Sequence, residues 1–256
     1  MRTRNNRQYR LAARPVGLPK ASDWNFTSEP VPAPEDGQVL VKALQLSLDP
    51  AMRGWMNEGK SYIPPVGIGE VMRAGGVGVV ADSRHPKFAV GDHVAGTLGI
   101  QEYCLVDLRE GSRASLQKID LGVATLSQWL NPLGIPGLTA YFGLLDVGQA
   151  RAGETVVVSG AAGAVGQTVG QLAKIHGCRV VGIAGGAEKC AWLTEVAGFD
   201  RAIDYKAADF EAVFADASAG GWDVMFDNVG NAMIDRAPAD ATPARTKSTW
   251  PPTAPR

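Results

Sequence analysis

Along the first half of the chain, apolar residues come in short runs broken by glycine and proline. QVLVKALQLS (Gln38–Ser47), VGVVAD (Val77–Asp82), GDHVAGT (Gly91–Thr97) and EYCLV (Glu102–Val106) are rich in valine and bounded by turn residues. That spacing predicts short antiparallel strands in a barrel-like domain. LDPAMRGWMNEGKSYIPPVGIGE (Leu48–Glu70) interrupts them with proline, glycine and aromatics, and is expected to form an ordered surface loop.

From Thr155 the period changes. TVVVSG (Thr155–Gly160) is a continuous apolar run, as a strand buried on both faces should be. AVGQTVGQLAKIHG (Ala164–Gly177) sets Val165, Val169 and Leu172 at helical spacing and ends on glycine. Strand and helix then alternate. RVVGIAG (Arg179–Gly185), RAIDY (Arg201–Tyr205) and WDVMFDNVG (Trp222–Gly230) are predicted strands; AEKCAWLTEVAG (Ala187–Gly198) and DFEAVFADASAGG (Asp209–Gly221) are predicted helices. Alternation of this kind implies a parallel sheet with right-handed crossovers. The expected organisation is therefore α/β: a β-rich domain over residues 1–130, then a parallel-sheet domain over 131–230.

The pattern stops at Gly230. In residues 231–256, fifteen of 26 positions are Ala, Pro or Thr, and there is no Val, Leu or Phe. Five prolines preclude a regular helix or central strand over most of that length. Too little apolar surface is available to offset the entropy of ordering, so a disordered tail is expected. In a doubly wound sheet the strand ending at Asp227 would then be left as an exposed apolar edge.

Composition narrows the functional classes. The 256 residues are 45% hydrophobic and carry a formal net charge of -1, which gives no electrostatic case for nucleic acid or an anionic membrane surface. No apolar run reaches the roughly 18–20 residues that span a bilayer. The basic N-terminus, MRTRNNRQYRLAARP, lacks the apolar core of a secretory signal. Cytosol is the expected compartment. Cys104, Cys178 and Cys190 are odd in number and widely spaced, which argues against a disulfide framework. His85, His93 and His176 form no ligand-spaced pair, so no metal site is expected.

The chemistry is concentrated in SGAAGAVGQTVGQLAK (Ser159–Lys174). Gly160, Gly163 and Gly166 lie between a buried strand and a helix. A first glycine there allows a sharp exit from the strand. A second lets backbone N–H groups approach a pyrophosphate, and a third lets the helix pack close to the sheet. The helix face formed by Gly166, Gly170 and Ala173 is correspondingly small. An NAD site adds an Asp or Glu about 20 residues on, at the end of the second strand, to hold the ribose 2′-hydroxyl. Gly185 and Gly186 stand there instead, with Lys189 following. A missing carboxylate beside a cation suits a 2′-phosphate, hence NADP(H); a solvated Lys189 paired with nearby acids is the plainer alternative.

These motifs together resemble the medium-chain dehydrogenase/reductase family, and within it the zinc-independent branch of prostaglandin reductases, leukotriene B4 dehydrogenase-like proteins and bacterial curcumin reductase-like enzymes. The resemblance is carried by GIPGLTAYFGL (Gly134–Leu144), the glycine turn, NRQYRLAARPVGLP (Asn6–Pro19), LSLDPAMRGWM (Leu46–Met56), SYIPPVGIGEVMRAGGVGVV (Ser61–Val80) and FDNVG (Phe226–Gly230). Zinc-dependent relatives place a His before the position of Glu70, where this chain has GIGE. The resemblance implies a GroES-like substrate domain, a Rossmann domain and an active site in the cleft between them. It also implies reduction of the C=C bond of α,β-unsaturated ketones or aldehydes by NADPH, and a homodimer. By the same resemblance Gly163, Ala164, Val165 and Gly166 would hold the pyrophosphate, and Lys189 and Tyr205 the 2′-phosphate. Asn228 would lie by the ribose and nicotinamide, and Thr139, at the domain junction, would also contact the cofactor. Tyr62 and Tyr141 are the catalytic or substrate-pocket candidates, with Met52 in a loop beside the pocket; for both tyrosines, filling a domain interface is an equal alternative. The family's later Rossmann segment has no counterpart after DNVG, and the change of texture resembles a shifted reading frame or a truncated product. On that reading the Rossmann domain is partial and activity is impaired. A quinone reductase of the same superfamily and an inactive nucleotide-binding remnant or interaction protein are the competing readings.

Overall fold

The computed structural model describes residues 4–59, 63–217, 220–230 and 245–248, the last as backbone alone. They divide into two compact units that meet in sequence at Leu130 and Asn131.

The first unit is antiparallel. β1 (Asn5–Leu11) pairs with β2 (Trp24–Pro30) along its whole length, from Asn5 opposite Pro30 to Leu11 opposite Trp24. A five-stranded sheet follows, built from β3 (Gln38–Leu46), β4 (Gly75–Ser83), β5 (His93–Thr97), β6 (Tyr103–Asp107) and β7 (Leu116–Lys118) in the order β6-β3-β4-β5-β7. All four pairings are antiparallel. Val39, Val41, Val80, Val94, Leu98 and Val106 form its core, so the valine-rich runs are strands because their branched side chains fill this interior. The β1–β2 pair escapes the valine pattern: β2 is largely exposed, and β1 buries Asn6 and Gln8 beside Leu11.

The segment expected to be a surface loop is partly internal. It contains α1 (Ala51–Trp55), and Met52, Met56 and Val66 are buried with Leu11, Met72 and Ala74. Met52, Trp55 and Met56 sit three and four apart, a helical spacing hidden in the sequence by the surrounding prolines and glycines. Two arginines fasten it: Arg14, from outside the segment, donates to the carbonyls of Met56 (2.9 Å) and Val66 (2.6 Å), and Arg53, within α1, donates to those of Pro15 and Gly17. α2 (Leu126–Leu130) ends this unit.

The second unit opens with α3 (Ile135–Tyr141), continued by a π-helical turn over Phe142–Val147. Then come β8 (Thr155–Ser159), α4 (Ala164–Ile175), β9 (Arg179–Ala184), α5 (Ala187–Glu195), β10 (Arg201–Asp204), α6 (Phe210–Ala217), β11 (Val224–Asp227) and β12 (Arg245–Ser248). Every pairing in this sheet is parallel, in the order β10-β9-β8-β11-β12. Successive side chains of a strand point to opposite faces, and TVVVS shows it. Val156 and Val158 pack with Val169, Ala173, Leu193 and Phe199 on one face, while Val157 packs with Ile203, Phe210, Phe214 and Trp222 on the other. Helices cover both faces, which is why the strands read as unbroken apolar runs.

Two expectations change. The buried face of α4 is Gly166, Val169, Gly170 and Ala173, with Val165 and Leu172 only partly covered. The helix lies so close to the sheet that small residues, Gly166, Gly170 and Ala173, occupy the contact around a single branched one, Val169. Secondly, β11 is not an edge. Residues 245–248 of the segment expected to be disordered pair with it, Val224 opposite Arg245 through Asp227 opposite Ser248. The unpaired N–H and C=O row of an apolar strand is a template for another strand, and RTKS lies between Pro243 and Pro251 with every backbone donor intact. The remainder of that segment, 231–244 and 249–256, lies outside the described residues.

Candidate functional site

The glycine turn joins β8 to α4 at the C-terminal end of a central strand. Gly160 has φ +56°, the left-handed region that favours glycine. Gly163 is the N-cap of α4 in extended conformation and offers no side-chain cap, so the first N–H groups of the helix have no intrahelical acceptor and none supplied by a capping side chain. A Cβ at Gly163 would come to 3.1 Å from the Gly160 carbonyl oxygen. At Gly166 it would come to 2.4 Å from that oxygen and 2.8 Å from the Ala161 Cα. The three glycines thus perform three separate tasks: reversal, open approach, and close packing of helix on turn. An uncapped N-terminus with its macrodipole fits a pyrophosphate.

The adenosine end is shaped by what cannot stand there. A Cβ at Gly185 would lie 2.7–2.9 Å from ring and hydroxyl atoms of Tyr205. Gly186, the N-cap of α5, has φ +100°, which strains any residue with a side chain. Both positions that could carry the NAD-type carboxylate are therefore closed, one by the Tyr205 ring and one by the backbone. Tyr205 is half-exposed, with the Lys206 ammonium 5.9 Å from its ring centroid. Lys189 is exposed on the first turn of α5 and makes no ion pair among the described residues, so the alternative of a pairing with nearby acids is not found there. Sequence inspection passed over Asp204 and Lys206. The Asp204 carboxylate accepts the N–H groups of Gly186 and Lys206, each at 2.9 Å. Those bonds, with Gly186 first, hold its carboxyl below the usual range and keep it on the backbone.

At the next strand end, Asn228 is exposed beside the turn: a Cβ at Gly160 would touch its Cβ at 3.4 Å and Val229 at 3.5 Å. Its backbone N–H donates to Ser159 Oγ (2.8 Å) and its side-chain Nδ2 to the Ser159 carbonyl (2.9 Å). Asp227, buried behind it, accepts the Ser159 hydroxyl and the N–H groups of Val229 and Gly230. Neither Ser159 nor Asp227 was singled out from sequence; a polar residue at the end of each of two apolar runs could have found each of them, though not their pairing.

The remaining candidates are dispersed. Thr139 Oγ1 donates to the Ile135 carbonyl within α3 (2.9 Å). Tyr141 is half-exposed at the end of the same helix, its ring edge-on to Phe142 at 5.3 Å. Met52 is buried in the first unit, where it packs. Tyr62 lies outside the described residues. Among the described residues no group of three His, Cys, Asp or Glu is placed to hold a metal, and no helix is long and apolar enough to cross a membrane.

Residues 7–113 match the family model described as the N-terminal domain of oxidoreductase, and residues 164–244 that described as zinc-binding dehydrogenase. A putative NADP-dependent oxidoreductase, YfmJ of Bacillus subtilis, is 49% identical over 235 residues, 91% of this chain and 67% of its own length. The NADPH-dependent curcumin reductase of Escherichia coli is 47% identical over 230 residues, 90% of this chain and 65% of its own. The crystal structure of CurA from Vibrio vulnificus in complex with NADPH superposes with a TM-score of 0.82 at 45% identity, covering 90% of this chain and 67% of that one. The chain spans about two thirds of the length of these relatives.

Proposed function

This chain belongs to the medium-chain dehydrogenase/reductase family, and from that premise we propose that it binds NADP(H) on the β8–α4 turn and serves the reduction of C=C bonds conjugated to a carbonyl. The observation that carries the cofactor assignment is the closure of both carboxylate positions at Gly185 and Gly186, beside an unpaired Lys189. Gly163–Gly166 supply backbone N–H groups to the pyrophosphate, and Lys189 and Tyr205 take the 2′-phosphate. Asn228 orients the ribose and nicotinamide portion. Relatives bearing NADP- or NADPH-dependent names, one of them a curcumin reductase, support the same reading.

When bound, the reduced cofactor supplies the hydride that goes to the β-carbon of an enone or enal. The enolate oxygen formed then needs hydrogen-bond donors until the α-carbon is protonated. Tyr141 and Tyr62 are proposed as substrate-side phenols, each able to donate an O–H; Thr139, whose hydroxyl already serves its own helix, is proposed as a cofactor contact. The proposed reaction is assayed as NADPH oxidation with an enone against a quinone, and turnover of the quinone alone would reassign the substrate class.

Lys189→Ala is expected to raise the NADPH dissociation constant about tenfold, the equivalent of roughly 1.4 kcal/mol, while leaving NADH binding within twofold. Comparative fluorescence titration measures both. An unchanged NADPH/NADH ratio would make Lys189 a solvated surface residue.

A further inference from the structure

Asp227 is 2% exposed, and Ser159 is fully buried. Among the described residues no Lys, Arg or His pairs with Asp227. Its charge is met instead by three donors, the Ser159 hydroxyl and the Val229 (3.0 Å) and Gly230 (2.9 Å) N–H groups. Three donors converging on one side chain call for an acceptor-only group with two oxygens, which a carboxylate supplies and an amide does not. Burying an unpaired charge is costly, and a packing role would be met as well by an apolar side chain. The position of the charge is therefore informative.

The ladder between β8 and β11 ends at Phe226 opposite Val158. One residue further, side chains take over: Asn228 N–H donates to Ser159 Oγ, whose hydroxyl donates to Asp227, while Asn228 Nδ2 donates to the Ser159 carbonyl. The turn over 228–230 is thereby tied to the residue immediately before Gly160, and Asn228 Oδ1 is left without a partner among the described residues. We propose that Asp227 is a positioning residue for the cofactor, acting through Ser159 and Asn228 to hold the 228–230 turn against the glycine turn, so that Asn228 meets the ribose–nicotinamide portion. This rests on the NADP(H) reading above.

The test separates the two ends of the cofactor. NADPH spans the whole site, whereas adenosine 2′,5′-bisphosphate fills its adenosine end alone. Asp227→Asn is expected to weaken NADPH at least tenfold, leave the bisphosphate within twofold, and speed amide hydrogen exchange at Asn228, Val229 and Gly230 in the free protein. Ser159→Ala, a smaller change, is expected to act in the same direction by about threefold and decides the matter where Asp227→Asn does not fold. Equal losses for both ligands would make the pair merely structural, and unchanged NADPH affinity in both variants would likewise overturn the proposal. If the unmodified chain binds neither ligand, it is the cofactor reading that fails.

Discussion

Gly170→Ala is expected to destabilise the second unit by about 3 kcal/mol, the upper part of the range for overpacking a core. The added Cβ would lie 1.9 Å from Cζ of Phe199 and 2.2 Å from its Cε1. The same ring closes on the sheet, where a Cβ at Gly182 would meet it at 2.7 Å. Phe199 is thus inserted between α4 and β9, with glycine on both sides. It is 4% exposed within the core that includes Val158, Val169 and Leu193. The ring is buried in the core, so relieving the clash means either repacking Phe199 there or lifting α4 from the sheet. Denaturant unfolding measures the loss. Gly54→Ala provides the contrast: Gly54 lies in α1 with nothing within 4 Å of an added Cβ, and alanine there should be neutral or stabilising by up to about 1 kcal/mol. Combining Gly170→Ala with Phe199→Leu should cost less than the sum of the two, because the substitutions share one contact.

Gly166→Ala is the second large effect, and it falls on binding. The obstructing atoms are backbone, the Gly160 carbonyl oxygen at 2.4 Å and the Ala161 Cα at 2.8 Å, and neither can rotate away. The helix start has to part from the turn, carrying the N–H groups of Ala164, Val165 and Gly166 off the pyrophosphate position. Affinity for NADPH should fall at least tenfold, about 1.4 kcal/mol or more. Calorimetry on the folded variant checks it, with the thermal midpoint read alongside. Retention of wild-type affinity would place the pyrophosphate elsewhere.

How far the sequence could be read depended on what each residue type reports. The parallel-sheet unit was legible because strands covered on both faces are apolar throughout, as in TVVVS, and because Gly177 and Gly198 stop the helices that precede them. The β1–β2 pair was not, since the buried positions of β1 include polar Asn6 and Gln8 and β2 is largely exposed, which leaves no hydrophobic period. β12 was hidden for another reason: RTKS is a strand through pairing with β11, a tertiary effect that local composition does not record. At the site, the tasks of Gly160, Gly163 and Gly166 were legible from their place between strand and helix, but what Gly170 and Gly185 make room for was not. Only geometry shows that Tyr205 occupies the space at Gly185, or that Gly170 makes room for a ring 29 residues further along the chain. The Ser159–Asp227 pair was invisible in sequence because its partners lie 68 residues apart.

A working NADP(H) cradle between β8 and the ends of β9 and β11 is what we propose for this chain. Equilibrium titration of the 256-residue protein with NADPH and with NADH, followed by tryptophan fluorescence, checks it. One equivalent of NADPH should bind saturably, at least tenfold tighter than NADH. Absence of saturation, or equal affinity for the two, would overturn the proposal.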